Sequence, residues 1–316
     1  MRRAGARLTT LLAALLLAAP LGKLAHAESW RVALIGDTPY SDYERRELPR
    51  MLGEIAATHP DLIVHAGDFK HSRMPCSDAL FADRRALFDA QPAPFVFVPG
   101  DNEWTDCDRL PAGGYRPEER LQKLRELFFA EPRSLGQKTL PVERQSSAAP
   151  EHLRWRLGPA LFVTLNVPGG NNNYGRAEHP GAEFSARNPQ VIAWLKAGFA
   201  AARRDRLPGI VIVMQANPAF EHFAAGLPHS GYRELLETLR DEAQDFPGQV
   251  VLVHGDTHWQ RIDRPLRDAA TKKPLANFRR VETFGYPIMG WVQMFIDSDA
   301  PELFRFAVHA YKATEK

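Results

Sequence analysis

The chain has 316 residues, with 40 lysines and arginines against 38 aspartates and glutamates. At 44% hydrophobic and 25% charged residues, its composition is that of an ordinary globular protein. This composition excludes a mostly disordered chain, a collagen-like repeat and a protein with many membrane spans, and the balance of charge gives no indication of nucleic-acid binding.

Residues 1–27 have the pattern of a secretory signal peptide. Arginines precede a leucine- and alanine-rich run, and Ala25-His26-Ala27 offers small residues for cleavage. The run is shorter than the ~20 residues of a membrane span, although an uncleaved anchor is the alternative. Cleavage removes four basic residues and no acidic one, leaving 36 basic against 38 acidic. We therefore expect a mature chain of residues 28–316 with no membrane span, exported to the periplasm or outside the cell.

The first half of the mature chain alternates short apolar runs with helical patterns. The alternation is typical of parallel strands connected by helices. It predicts strands over 30–35, 61–66 and 95–98, and helices over 42–58, 78–90 and 117–130.

The second half changes rhythm and becomes richer in strands. It predicts paired strands over 153–157 and 161–167, a Gly/Asn loop, helices over 188–204 and 230–245, and strands over 210–214, 250–253, 258–263, 278–284, 291–296 and 303–309. Surface excursions are expected over 131–152 and 264–277. Because there is no internal repeat and no clear linker, we predict one α/β domain over residues 28–316.

Four Gly-Asp pairs each follow an apolar strand pattern. Ligands of parallel sheets bind beyond the carboxyl ends of the strands, so we expect these four carboxylates to meet at one edge. Like charges gathered there repel unless a cation holds them together, and a divalent Mn, Fe, Zn or Mg ion suits such donors. The four acids are Asp37, Asp68, Asp101 and Asp256.

The order and spacing of five blocks resemble the calcineurin-like metallophosphoesterase superfamily over nearly all of the mature chain. The blocks are Asp37, Gly67-Asp68, Gly100-Asp101-Asn102-Glu103, Gln215-Ala216-Asn217-Pro218 and Gly255-Asp256-Thr257-His258. The resemblance implies a four-layer α/β/β/α sandwich of mixed sheets with two divalent metal ions, bridged by Asp68. The metal ligands that it implies are Asp37, Asp68, Asp101, Asn102, Gln215, Asp256 and His258.

This sequence departs from the superfamily pattern at several ligand positions. Pro39 stands at the histidine position of the first block, and Tyr40 one residue later is a possible substitute. In the third block either Asp101 replaces the ligand asparagine, or one insertion keeps Asn102 as the ligand and puts Glu103 at the catalytic histidine. Gln215 and Asp256 replace two further histidines. Oxygen donors in place of nitrogen favour Mn or Mg over Zn.

The resemblance implies direct hydrolysis of a small phosphomonoester or phosphodiester by a hydroxide held between the two metals. The candidate general acids are His71, Glu103 and His254. Alternatively, His71 is an ordinary surface-loop residue, Glu103 accepts a hydrogen bond that orients a metal ligand, and His254 is a core histidine. Substrate contacts are predicted at Tyr40, Arg73, Asn171 and Asn172. The alternative function is an exported binding protein that keeps the metallophosphoesterase fold and has lost catalysis.

The chain contains two cysteines, Cys76 and Cys107. They follow two of the site loops at nearly equal offsets, and an oxidising compartment permits a disulfide between them. Two free buried thiols are the alternative, and a structural zinc site is disfavoured because no CxxC pair is present.

Overall fold

The computed structural model of the chain describes residues 29–175, 179–227 and 231–313. The predicted signal peptide, residues 1–27, lies outside these residues. The strands are β1 (Ser29–Ile35), β2 (Leu62–His65), β3 (Phe95–Phe97), β4 (Glu143–Arg144), β5 (Leu153–Leu157), β6 (Ala160–Thr164), β7 (Gly209–Val213), β8 (Gln249–His254), β9 (Arg261–Asp263), β10 (Phe278–Glu282), β11 (Gly290–Asp297) and β12 (Phe304–Ala310). The helical segments are α1 (Asp42–Ala57), α2 (Asp78–Asp89), α3 (Pro117–Phe128), α4 (Gly169–Asn172), α5 (Ala182–Arg204), α6 (Phe220–Ala224) and α7 (Arg233–Asp245).

The first sheet has five strands in the order β12-β11-β1-β2-β3. Strands β1, β2 and β3 are parallel, with Val32 opposite Leu62 and Ile63 opposite Phe95. Strand β11 is antiparallel to both of its neighbours, β1 and β12. The connecting helices begin at clear sequence signals, because the hydroxyl of Ser41 caps α1 and that of Ser77 caps α2. The predicted parallel pairing of the first half is confirmed.

The second sheet has seven strands in the order β4-β5-β6-β7-β8-β10-β9. Its central strands β6, β7, β8 and β10 are parallel. The predicted pairing of β5 with β6 is confirmed, and it is antiparallel. Alternate residues face opposite ways, since Val211 and Val213 join the core shared with the first sheet whereas Ile210 and Ile212 join the core under α5 and α7. Helices therefore cover the outer face of each sheet, and the predicted four-layer α/β/β/α sandwich is confirmed.

The structure differs from the predicted elements where tertiary contacts decide. Helix α5 begins at Ala182, six residues before the predicted start, and contains Pro189 in its interior. Its first turns are held from outside, because Arg187 donates to Oδ1 of Asn172 at 2.7 Å and Asn188 donates to Glu234 at 2.6 Å. Strand β9 is shorter than the predicted strand 258–263, and β4, α6 and two 3₁₀ turns at Thr105–Asp108 and Leu110–Ala112 were not predicted. None of the helices in the described ranges is long and apolar enough to span a membrane.

Candidate functional site

The predicted carboxylates meet where the carboxyl ends of both sheets adjoin. The backbone N–H of Asp256, after β8, donates to both oxygens of Asp37, after β1, at 3.0 and 3.1 Å. Asp68, after β2, accepts from the backbone N–H of Asn102 at 3.1 Å and from the side chain of Gln215, after β7, at 3.2 Å. The shared edge predicted for these blocks therefore exists, and each sheet contributes to it.

In the Gly-Asp pairs, close packing against neighbouring side chains requires glycine, and three of the aspartates adopt strained backbone conformations. A Cβ atom at Gly100 would lie 2.1 Å from Oδ1 of Asp68, and one at Gly255 would lie 2.1 Å from Oδ2 of Asp37. Three of the four acids occupy the left-handed region, with φ of 49° at Asp37, 59° at Asp68 and 80° at Asp256. Such conformations cost about 1–3 kcal/mol each and cluster at functional sites. The surrounding fold is therefore holding these carboxylates in place against a local preference.

Tyr40 and Asn102 lie among the carboxylates. The buried Tyr40 hydroxyl donates to Oδ2 of Asp68 at 2.8 Å and accepts from Nδ2 of Asn102 at 2.8 Å. It also lies 3.5 Å from Oδ1 of Asp37. Burial and the neighbouring carboxylates raise the pKa of Tyr40 well above its ordinary value, so the phenol stays protonated. Tyr40 therefore lies where a residue that substitutes for the missing histidine of the first block is expected.

His258 presents one ring nitrogen to the acidic cluster. Its Nδ1 lies 2.9 Å from the carbonyl oxygen of Tyr286, which fixes the proton on Nδ1. Nε2 then carries the lone pair and lies 3.6 Å from Oδ1 of Asp37. Burial lowers the pKa of His258 below its ordinary value, so the ring is neutral. A neutral imidazole anchored through its other nitrogen is the usual form of a metal-binding histidine.

The carboxyl pKa values record a concentration of negative charge. Burial, followed by repulsion from neighbouring acids, raises the pKa of Asp68 well above its ordinary value. The pKa of Asp37 is also raised well above its ordinary value, chiefly by burial. Burial also raises the pKa of Asp101 and of Asp256 to about 6. A divalent cation would relieve this charge, and Oδ1 of Asp101 is buried without a hydrogen-bond partner.

The donor set fits a divalent cation, although its side chains are engaged with each other. Within the described ranges, no group of three or more His, Cys, Asp and Glu side chains is arranged as a preformed metal site. Tyr40 and Gln215 both donate to Oδ2 of Asp68, and the backbone N–H of Asp256 donates to both oxygens of Asp37. The ligand roles of the predicted residues stay a prediction.

The three predicted general acids occupy different depths. His71 lines the cleft, and its Nδ1 accepts from the backbone N–H of Arg73 at 3.0 Å, which leaves the proton of the neutral ring on Nε2. Glu103 is fully buried and accepts from the backbone N–H groups of Asp68 at 3.0 Å and Gly100 at 2.7 Å. His254 is fully buried with Nδ1 2.8 Å from the carbonyl of Gly255. Of the three, His71 is the one that faces the cleft.

Of the four residues predicted to contact substrate, Tyr40 lines the cleft and the other three do not. Arg73 is exposed outside the residues that line the cleft. Asn171 and Asn172 belong to a left-handed turn, with φ of 59° and 57°. Asn172 is buried; its Oδ1 accepts a hydrogen bond from Arg187 at 2.7 Å, and its Nδ2 donates to the carbonyl of Gly231 at 2.8 Å. These contacts stabilise the turn.

The structure joins Cys76 and Cys107 in a disulfide that closes 31 positions of sequence. Both sulfur atoms lie against the carbonyl oxygen of Asn102, at 3.6 and 3.7 Å. The bridge ties the loop after β2 to the 3₁₀ turns after β3. The predicted disulfide therefore supports the loop that carries Asn102.

Four lining residues were not predicted. The cleft has a volume of about 280 Å³, and its lining includes Ser72, Asp106, Arg109 and Tyr286 beside the predicted residues. Asp106 and Arg109 lie on or next to the 3₁₀ turns, which have no periodic apolar pattern. Their one sequence signal was the position of Cys107 between them, two residues from Arg109.

Comparison with known proteins agrees with this geometry. The family model of the calcineurin-like phosphoesterases matches residues 31–260. The fold is similar to that of a dimetal phosphatase from Danio rerio, at 12% identity and a TM-score of 0.53, over 89% of this chain and 96% of that one. It is also similar to a purple acid phosphatase from yellow lupin (Lupinus luteus) seeds, at 12% identity and a TM-score of 0.53, over 90% of this chain and 52% of that one. The chain thus spans about half of the lupin protein, and no curated protein sequence matches it.

Proposed function

Because the chain belongs to the calcineurin-like phosphoesterase family, we propose that it is an exported, metal-dependent phosphoesterase that hydrolyses a small phosphomonoester or phosphodiester. The observation that carries this proposal is the meeting of four aspartates, of which Asp37 and Asp68 are buried, with a neutral His258 at the strand ends. Family membership alone supports a phosphoesterase, whereas the metal dependence and the export are our inferences.

Two divalent ions would be held by the predicted ligands. Bound there, they would supply Lewis acidity to water and neutralise phosphate charge. Asp68, which contacts Asn102 beside the first sheet and Gln215 of the second, would be one of the residues that hold the ions. The carboxylates, Asn102, Gln215 and His258 supply the remaining oxygen and nitrogen donors. The predominance of oxygen supports Mn or Mg as the resident ion.

The chain's own groups can move the proton that hydrolysis requires. A leaving alkoxide needs a proton, and His71, at the cleft wall, can donate one from Nε2 when its ring is in the imidazolium form. Burial, with the nearby Arg73 and Lys70 charges, lowers the pKa of His71, so its imidazolium form releases a proton more readily than that of an ordinary histidine. Tyr40, with its pKa raised, stays a hydrogen-bond donor and orients Asp68.

The first test measures metal content and turnover together. We expect purified mature protein, incubated with Mn²⁺ and desalted, to retain about two equivalents by elemental analysis and to hydrolyse 4-nitrophenyl phosphate or its diester. Asp68→Asn preserves shape and should lose the metal and at least about 100-fold in kcat/KM. Asp299→Asn, on an exposed turn, is the matched control and should retain both.

The outcomes separate the alternatives. Wild-type protein that retains no metal after incubation with excess Mn²⁺ would overturn the metal-dependent enzyme. Retained metal without turnover of any phosphoester would favour the binding protein. For export, the intact mass of the protein recovered outside the cytoplasm should correspond to a chain beginning at Glu28, and recovery only of the full-length chain inside cells would contradict it.

A further inference from the structure

The cleft presents a charge problem to an anionic substrate. Its lining includes Asp68, Asp101, Asp106 and Asp256, and a phosphoester carries negative charge of its own. Like charges in such a cleft repel each other, so binding needs a cation on the substrate side as well as any in the floor. Among the described residues that line the cleft, Arg109 is the one arginine, and no lysine is among them.

Arg109 extends into the cleft with donors to spare. Its Nη2 lies 2.6 Å from Oδ1 of Asp106, and 54% of its side chain is exposed against 10% of Asp106. A guanidinium has five N–H donors in a planar fork that matches phosphate oxygens. The contact with Asp106 therefore orients the group without using all of its donors.

The backbone that carries Arg109 is held firmly. Its N–H donates to the carbonyl of Asp106 at 3.2 Å, and its carbonyl accepts from Ala112 at 2.9 Å and Gly114 at 3.1 Å. The residue stands between the two 3₁₀ turns, two positions after the disulfide-bonded Cys107. A rigid support of this kind lowers the entropy cost of positioning a charged side chain.

The two other nearby cations are placed differently. Lys70 is buried and donates to the carbonyl of His71 at 3.2 Å, so its charge faces the interior beneath the acids. Arg73, the arginine that the sequence predicted for phosphate, is exposed and outside the cleft lining. Neither has the position of Arg109, which combines an open guanidinium with a place on the cleft wall.

Resting on the proposed function, we propose that Arg109 binds a non-bridging oxygen of the substrate's phosphoryl group, with Asp106 as the residue that positions its guanidinium. The ligand class is a phosphate or phosphate ester that presents at least two free oxygens, which a planar fork can bind in parallel. Arg109 then favours phosphomonoesters, because a monoester dianion carries one negative charge more than a diester and interacts more strongly with a guanidinium.

The test measures binding of inorganic phosphate by calorimetry to Mn²⁺-incubated mature protein, together with steady-state hydrolysis of 4-nitrophenyl phosphate. Arg109→Met removes the charge, Arg109→Gln keeps a donor toward Asp106, and Arg109→Lys keeps the charge without the fork. Arg116→Met, an exposed arginine at the start of α3, is the matched control. Metal content is measured on every variant, so that a loss of phosphate binding is not a loss of metal.

We expect Arg109→Met and Arg109→Gln to weaken phosphate binding about 10- to 100-fold with unchanged metal content, and Arg109→Lys to fall between them and wild type. Arg116→Met should bind as wild type does. Unchanged phosphate binding in either uncharged variant, or a loss in Arg73→Met alone, would overturn the assignment. If wild type binds phosphate but hydrolyses no ester, the proposed function fails while the Arg109 assignment stands on the binding data. If wild type hydrolyses the ester but binds no phosphate, the Arg109 assignment fails while the proposed function stands.

Discussion

Asp256 is a residue whose own charge works against the folded state. Its ordinary pKa of 3.8 rises to about 6, because burial removes hydration and Glu282 adds repulsion, while the backbone N–H of Asn217 offsets part of this. A carboxyl whose pKa is higher in the folded than in the unfolded chain stabilises the fold below the unfolded value. That contribution is lost as the pH rises through the folded value.

We therefore expect Asp256→Asn to become relatively more stable as the pH rises from about 4 to about 7 in metal-free protein. The free energy of unfolding of the variant should gain about 1–2 kcal/mol on wild type across this window, a figure reduced because Asp256 is partly exposed. The measurement is urea denaturation at each pH with a chelator present.

Comparison with wild type isolates Asp256 together with Asp37 and Asp101, whose pKa values its charge raises. The buried His65 and His254, whose pKa values burial lowers to about 4 and about 3, titrate equally in both proteins and cancel in the difference. Asp299→Asn, on the exposed turn, should show a difference that does not vary with pH. If the difference in free energy of unfolding between Asp256→Asn and wild type does not vary with pH, the charge of Asp256 does not destabilise the fold.

At the level of elements, the sequence predicted the site best where it depends on strand ends. Apolar runs ending in Gly-Asp indicated the positions of Asp37, Asp68 and Asp256, because parallel strands must deliver their carboxyl ends to one edge. The glycines follow from the same geometry, since the carboxylates approach within 2.1 Å of a Cβ position at Gly100 and Gly255.

The sequence was least informative where an element depends on contacts from elsewhere in the chain. Helix α5 begins at Ala182 because Arg187 and Asn188 are held by distant partners, and local propensity pointed instead to a start beside Pro189. Arg109 follows a 3₁₀ turn, which has no periodicity to recognise, and its role depends on where the disulfide of Cys107 places it. The burial of individual side chains was equally unpredictable, since nothing in the sequence distinguishes His71, which faces the cleft, from Glu103, which is buried.

In the molecule as a whole, the acidic cluster lies at the seam between the two sheets. Asp37 and Asp68 extend from the five-stranded sheet, whereas Gln215, Asp256 and His258 extend from the seven-stranded sheet. Hydrogen bonds already cross this seam, from Gln215 to Asp68 and from Asp256 to Asp37. Charge repulsion at the same place opposes the contact between the sheets.

A divalent cation bound at this seam would link the sheets and remove the repulsion, so metal binding and global stability should be coupled. At a free Mn²⁺ concentration about 100 times Kd, linkage predicts about 2.7 kcal/mol of added stability, which corresponds to a rise of roughly 5 °C in Tm for a domain of this size. Scanning calorimetry of wild type, Asp68→Asn and Asp299→Asn, each with Mn²⁺ and with chelator, measures the effect. Wild type and Asp299→Asn should share the rise, and Asp68→Asn should lose it. An equal rise in Asp68→Asn would place the stabilising ion elsewhere, because a cation joining the two sheets at this seam requires the carboxylate that contacts residues of both.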